Sequence, residues 1–218
     1  RKAAETDDSQ GDYALYRGAI TQGLGKDYAG KVETLKRLIS NFPQSTYAEQ
    51  AFYEMGRAYV EQEKYEQAIA SFDELVKRYP SSSLARKAAT ETAMIYNQTG
   101  NSDKAIAAYK KIIATYPQSD EAQIAAQDLK NIYVDLGKVD EFAEFAANTP
   151  GMRAVESSER DTLSYIAAEK IYGTIILWKL IPQDSIAIIS VSAAIFDVKK
   201  ITVMNTNRGL NMFMKYGT

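Results

Sequence analysis

Paired carboxylates are the residues of this sequence best suited to chemistry. Asp7-Asp8 and Asp140-Glu141 could each be an acid/base dyad. Asp7-Asp8 lies in the polar run RKAAETDDSQGD, read as flexible, and Asp140-Glu141 reads as the start of a helix, where acids suit the dipole. Both read as structural. The chain has no His and no Cys, which excludes Ser-His-Asp and Cys-His triads, zinc fingers, thiol redox chemistry and disulfides. An enzyme would depend on carboxylates, Lys, Ser, Tyr or Arg alone, so the expectation is no catalytic, cofactor or metal site.

Other groups are no more promising. Gly23, Gly25 and Gly30 in QGLGKDYAG fall in and just after a turn between helices, with no preceding strand to make a phosphate loop. Lys104, Lys110 and Lys111 read as a solvated face. Fifteen tyrosines could stack on single-stranded nucleic acid or glycan, but their helical spacing favours core or surface lining. With 26 basic against 28 acidic residues the net charge is −2, which argues against general nucleic-acid or anionic-membrane binding.

What must position any functional residue is a repeat. The segments beginning NFPQSTYAEQ at Asn41, RYPSSSLARK at Arg78 and TYPQSDEAQI at Thr115 align without a gap. Pro43, Pro80 and Pro117 are 37 apart, as are Tyr59, Tyr96 and Tyr133, and as are Ser45, Ser82 and Ser119. A period of this size marks a repeat architecture. Phe52, Met55, Gly56 and Tyr59 recur at helical spacing, Gln62-Glu63-Lys64 is a polar turn, and Ala68, Phe72, Leu75 and Val76 lie on a second helix stopped by Pro80. The serines after Pro80 and Pro117 are candidate N-caps. Small Gly56 and Ala68 let the helices approach, and Tyr59, Phe72, Tyr96, Tyr109 and Tyr133 are predicted core residues.

Phe52, Met55-Gly56, Tyr59, Ala68, Phe72 and Pro80 resemble the tetratricopeptide repeat, and Ala93, Tyr96, Ala105, Tyr109 and Pro117 resemble it less completely. A further unit keeps Tyr133 and Gly137 but has Phe142 in place of the small residue, its second helix ending near Asn148. A degenerate unit runs from Asp12 to Phe42, with Leu35 and Leu38 in its core and Gln22 where Tyr would stand. The resemblance implies an all-α superhelix of antiparallel helix pairs with first helices on the concave side. The expected layout is a flexible segment 1–11, an array over 12–150, a further helix over 151–172 and an atypical tail over 173–218.

The resemblance also implies a non-enzymatic scaffold that takes a peptide or partner helix in the groove. The family's groove positions fall on Tyr13, Tyr16 and Ile20; Tyr53, Arg57 and Val60; Lys87, Thr90 and Met94; and Gln127, Asn131 and Val134. The (F/Y)-P-x-S endings are similar to those of repeat proteins of the Gram-negative envelope: the Tol-associated periplasmic division coordinator, the outer-membrane β-barrel assembly lipoprotein, and long arrays of Bacteroidetes. A periplasmic or envelope location with a protein partner and no nucleic acid is expected. The alternative is a glycan- or peptidoglycan-associated accessory module.

The tail departs from the pattern. DTLSYIAAEKIY, Asp161 to Tyr172, reads as another first helix, but residues 173–218 hold eight Ile, no Glu and seven charged residues. Alternation in Lys200-Ile201-Thr202-Val203 favours strand. Three readings compete: a poorly helical or irregular segment, a small β-type subdomain or docking extension, and a reading-frame artefact beginning near Tyr172. For the last, the frame one nucleotide earlier can encode Asp at the Gly173–Thr174 junction and Tyr at the next two, and must encode Glu at Trp178–Lys179. That approximates the Gly-Asp-Tyr turn of the family. The apolar run Ser185 to Phe196 is 12 residues, short of the roughly 20 that span a bilayer. The chain reads as soluble, and because it starts at Arg1 as a processed or shortened protein, any membrane association is expected through a preceding region.

Overall fold

The structure, a computed structural model, describes residues 11–180, with side chains through 173. Every regular element among them is helical: α1 Gly11–Leu24, α2 Tyr28–Asn41, α3 Ala48–Val60, α4 Tyr65–Arg78, α5 Ser83–Gln98, α6 Ser102–Thr115, α7 Asp120–Asp135, α8 Val139–Asn148 and α9 Ser157–Leu180. The chain divides into two compact units, one up to Leu129 and one from Lys130, so the boundary falls inside α7.

In the first unit each helix packs on the next in sequence, α1 on α2, α2 on α3 and so on to α6. This is the expected α-α superhelix of antiparallel pairs. One helix pair cannot bury its own apolar stripe, so the core is shared: Leu35, Leu38, Phe52, Phe72, Leu75 and Ile95 are all buried in one cluster.

The 37-residue period is set by two kinds of chain reversal. Within each pair the first helix closes in a Schellman turn. The amides of Asp27, Lys64, Asn101 and Lys138 donate to the carbonyls of Gln22, Tyr59, Tyr96 and Tyr133. The residue before each of these donors is left-handed: Lys26 at φ 60, Glu63 at φ 56, Gly100 at φ 74 and Gly137 at φ 70. The Tyr ladder read in the sequence therefore marks the residue whose carbonyl closes the turn. An L side chain in this region costs about 1–2 kcal/mol, offset in part by the chain entropy that glycine brings to the unfolded state. Glu63→Gly is therefore expected to stabilise the protein by about 0.5–1 kcal/mol, measured as a higher urea midpoint at unchanged slope.

Between pairs, the aromatic before each proline caps the second helix. Phe42, Tyr79 and Tyr116 donate their amides to Leu38, Leu75 and Ile112 and take φ near −130. Proline at the next position disfavours helical geometry there. Two residues further stands a serine whose hydroxyl caps the next helix and, at Ser45 and Ser82, makes a second bond. Ser45, Ser82 and Ser119 accept from the amides of Tyr47, Leu84 and Ala122, which is the capping role expected for the last two. Ser45 also donates to Asp12 and Ser82 to Glu49, acids in the first turn of the preceding first helix. Ser45 and Ser82 thus stitch successive pairs together.

The predicted core tyrosines divide. Phe72, Tyr109 and Tyr133 are buried, whereas Tyr59 and Tyr96 are half-buried. The latter two sit at the helix end beside the turn, where a cation covers the open side: the Lys104 ammonium lies 5.5 Å over the Tyr96 ring, and Lys36 is hydrogen-bonded to Tyr59.

In the second unit Val134, Val139 and Ala167 are buried together, with Leu163 packed against them. The Tyr133 and Phe142 rings meet at 6.1 Å. Asp140 and Glu141 stand in the first turn of α8, which ends at Asn148 as the sequence indicates. Helix α9 passes the composition change at 173 and stays helical to Leu180, so an irregular or strand-like reading does not hold for 173–180. The rest of the tail, 181–218, and Asp7-Asp8 lie outside the described residues. No described helix is long and apolar enough to cross a membrane.

Candidate functional site

Within the first unit two first helices, α3 and α5, meet more closely than any two second helices do. Besides packing on α4, α3 packs directly on α5, and among the described residues no two second helices make comparable contact. The surface of α3 and α5 is therefore the inner side of the stack, continued onto α1 where Tyr13 and Tyr16 pack on Tyr47, and it carries most of the residues that the sequence assigned to a groove.

Its N-terminal end is aromatic. Tyr16 stacks on Tyr47 with centroids 5.1 Å apart and planes 19° from parallel, and Tyr13 packs on the same ring at 5.7 Å. Tyr13 is 45% exposed. Burial, then the nearby Glu54 carboxylate, raises the Tyr16 phenol above its usual pKa. Tyr47 was missed in the sequence; it sits just before α3, where no period flags it.

Further along, the Tyr53 ring packs on Phe72 at 5.8 Å. Its hydroxyl donates to Glu91 of α5 across 3.4 Å, bridging two first helices. Burial and Glu91 together push this phenol up, which keeps it a donor. Tyr109 is raised further still, by burial and then by the Asp128 carboxylate that accepts its hydrogen bond. The raised phenols of Tyr16, Tyr53 and Tyr109 favour the neutral, hydrogen-bond-donating form.

Arg57, Lys87 and Met94 are exposed on the same face, and Met94 retains 47% of its surface. Ile124, at the repeat register of Tyr13 and Lys87, is 50% exposed and was not singled out in the sequence, although the period alone identifies it. Gln127 is exposed and engaged in a contact of its own. Ile20 and Val60 are half-buried. Two expectations fail. Thr90 is buried with its hydroxyl turned back onto the Arg86 carbonyl, and Val134 is buried in the core of the second unit. Helical spacing gives a side chain's direction, but the residues packed around it decide its exposure. Asn131 also belongs to the second unit, where it is exposed and engaged. Away from this face, Lys104 and Lys111 are exposed as expected, whereas Lys110 is half-buried.

The turn geometry, the shared core and the inner face of first helices converge with sequence comparison: residues 13–45 and 53–120 each match a tetratricopeptide repeat model. These segments are tetratricopeptide repeats. The fold is similar to that of a tetratricopeptide repeat protein from Parabacteroides merdae, with TM-score 0.56 and 15% identity over 91% of this chain and 68% of that one. It is also similar to the nearly identical TPR-like repeats of a putative kinesin light chain from Podosopora anserina, with TM-score 0.50 and 12% identity over 92% of this chain and all of that one, 100%. At such identities the likeness concerns the fold. No curated protein shows significant sequence similarity to the chain. Tetratricopeptide repeats generally mediate protein–protein interaction.

Proposed function

We propose that the protein is a non-enzymatic scaffold of the bacterial envelope that binds an extended peptide or a helix of a partner protein along the inner face of α1, α3 and α5. The observation that carries this reading is the row of exposed Tyr13, Arg57, Lys87 and Met94 on consecutive first helices held in register. Tyr and Arg combine large contact area with hydrogen bonding, as binding hot spots do. The envelope assignment rests on the (F/Y)-P-x-S endings. The Tyr13–Tyr47–Tyr16 cluster supports a second reading, stacking on a glycan of the cell wall.

The test is capture from an envelope extract by the wild-type chain and by a Tyr13→Ala/Arg57→Glu/Met94→Glu variant. These residues are exposed or rim the core, so the variant is expected to keep its melting temperature. It should lose at least about tenfold in affinity, ~1.4 kcal/mol, for the captured protein. Equal capture by the two chains refutes the groove, and retention on protein-stripped sacculi favours the glycan reading.

A further inference from the structure

We infer that the segment bound on the inner face is acidic, with apolar residues interleaved among its carboxylates. This rests on the groove reading above and concerns the chemistry of its occupant.

The argument is a census of charge on the first helices of unit one. Apart from Asp120, exposed in the first turn of α7, the carboxylates there are half-buried and already engaged. Glu54 pairs with Lys31 at 2.5 Å, Glu91 accepts from Tyr53, Glu121 pairs with Arg86 at 3.3 Å, and Asp128 accepts from Tyr109. The cations Arg17, Arg57 and Lys87 are the reverse case. All three are exposed, and among the described residues none has an ion pair or hydrogen bond from its side chain. Arg57 does act on Tyr53, lowering its phenol against the larger effect of burial.

The repeat register explains the asymmetry. Arg17 stands where Glu54, Glu91 and Asp128 stand in later units, and Arg57 stands where Ile20 and Met94 do. These cations are departures from the repeat, placed on one face of a chain whose net charge is −2. Glu91 and Asp128 are half-buried and each is engaged by a phenol, so an arriving chain meets the exposed cations first. A basic segment would face three unscreened like charges, which costs encounter rate and affinity. Nucleic acid fits less well: the cations are few, and exposed Met94 and Ile124 offer contacts that suit apolar side chains rather than phosphates.

Selection of a random peptide library against the full chain tests this. The enriched pool should carry net negative charge, and its affinity should fall at least tenfold as ionic strength rises from low to physiological. An Arg17→Glu/Arg57→Glu/Lys87→Glu variant, shown folded by its melt, should lose that pool and enrich basic peptides instead. A neutral or basic pool on the wild-type chain that the Met94→Glu substitution displaces overturns the charge inference and leaves the groove standing. No enrichment, or enrichment unaffected by every substitution on this face, overturns the groove as well. Displacement of the acidic pool by a single-stranded oligonucleotide that binds more tightly to the same face would overturn the peptide as occupant.

Discussion

Leucine at Gly56 is expected to destabilise the protein by about 3 kcal/mol or more, toward the upper end of what overpacking costs. Even a Cβ there would lie 2.4 Å from a ring carbon of Phe72 and 2.7 Å from two others. Helix propensity pulls the other way, since Gly→Ala in a helix interior gains up to about 1 kcal/mol. Gly56→Ala therefore separates the two effects. If the α3–α4 approach is as close as it stands here, Ala destabilises despite its propensity, and Gly56→Ala/Phe72→Leu recovers part of the loss. Other units use this register differently: Ala19 with Leu35 in the first, Ala93 with Tyr109 in the third. A Cβ is tolerated where a pair is set for it, and α3–α4 is set for none. Urea unfolding checks the order, and a Gly56→Ala protein as stable as wild type would contradict the contact.

The parts of this fold legible in the sequence are those the period repeats. Pro80 and Pro117 end second helices because proline forbids continuation, Ser82 caps α5, and Phe72 and Tyr109 fill the cores. What escaped notice depends on cooperation between units. The left-handed turn residue was visible as Gly100 and Gly137, but Glu63 and Lys26 conceal it, because the Schellman hydrogen bonds impose the conformation whatever the side chain. The second bond of the serines needs the acid 33 residues earlier, Asp12 for Ser45 and Glu49 for Ser82, a partnership that only the superhelix creates. At the candidate site the sequence carries helical phase, which gives direction, while the next helix decides exposure: Arg57 and Met94 are exposed, Tyr53 is half-buried and Thr90 is buried.

The most consequential departure from the repeat is buried. Lys31 stands in the register of Ala68 and Ala105, is 8% exposed, and reaches Glu54 on α3. Its stem passes Gly23, where an added Cβ would lie 3.0 Å from the lysine Cδ. A buried pair is weak evidence for stability, but breaking it by removing one partner is costly when the charge left behind cannot reach water. The two partners differ in that respect: the side chain of Lys31 is 10% exposed and that of Glu54 21%. Glu54→Ala leaves the buried ammonium without its partner and is expected to cost about 3–5 kcal/mol. Lys31→Met keeps the volume and leaves a carboxylate closer to solvent, so it is expected within about 1 kcal/mol of wild type. Hydrogen exchange should show the Glu54→Ala loss concentrated in α1 to α3, because a repeat stack opens unit by unit. Equal losses for the two substitutions would mean that the pair is hydrated and that Lys31 merely covers the α1–α2 turn.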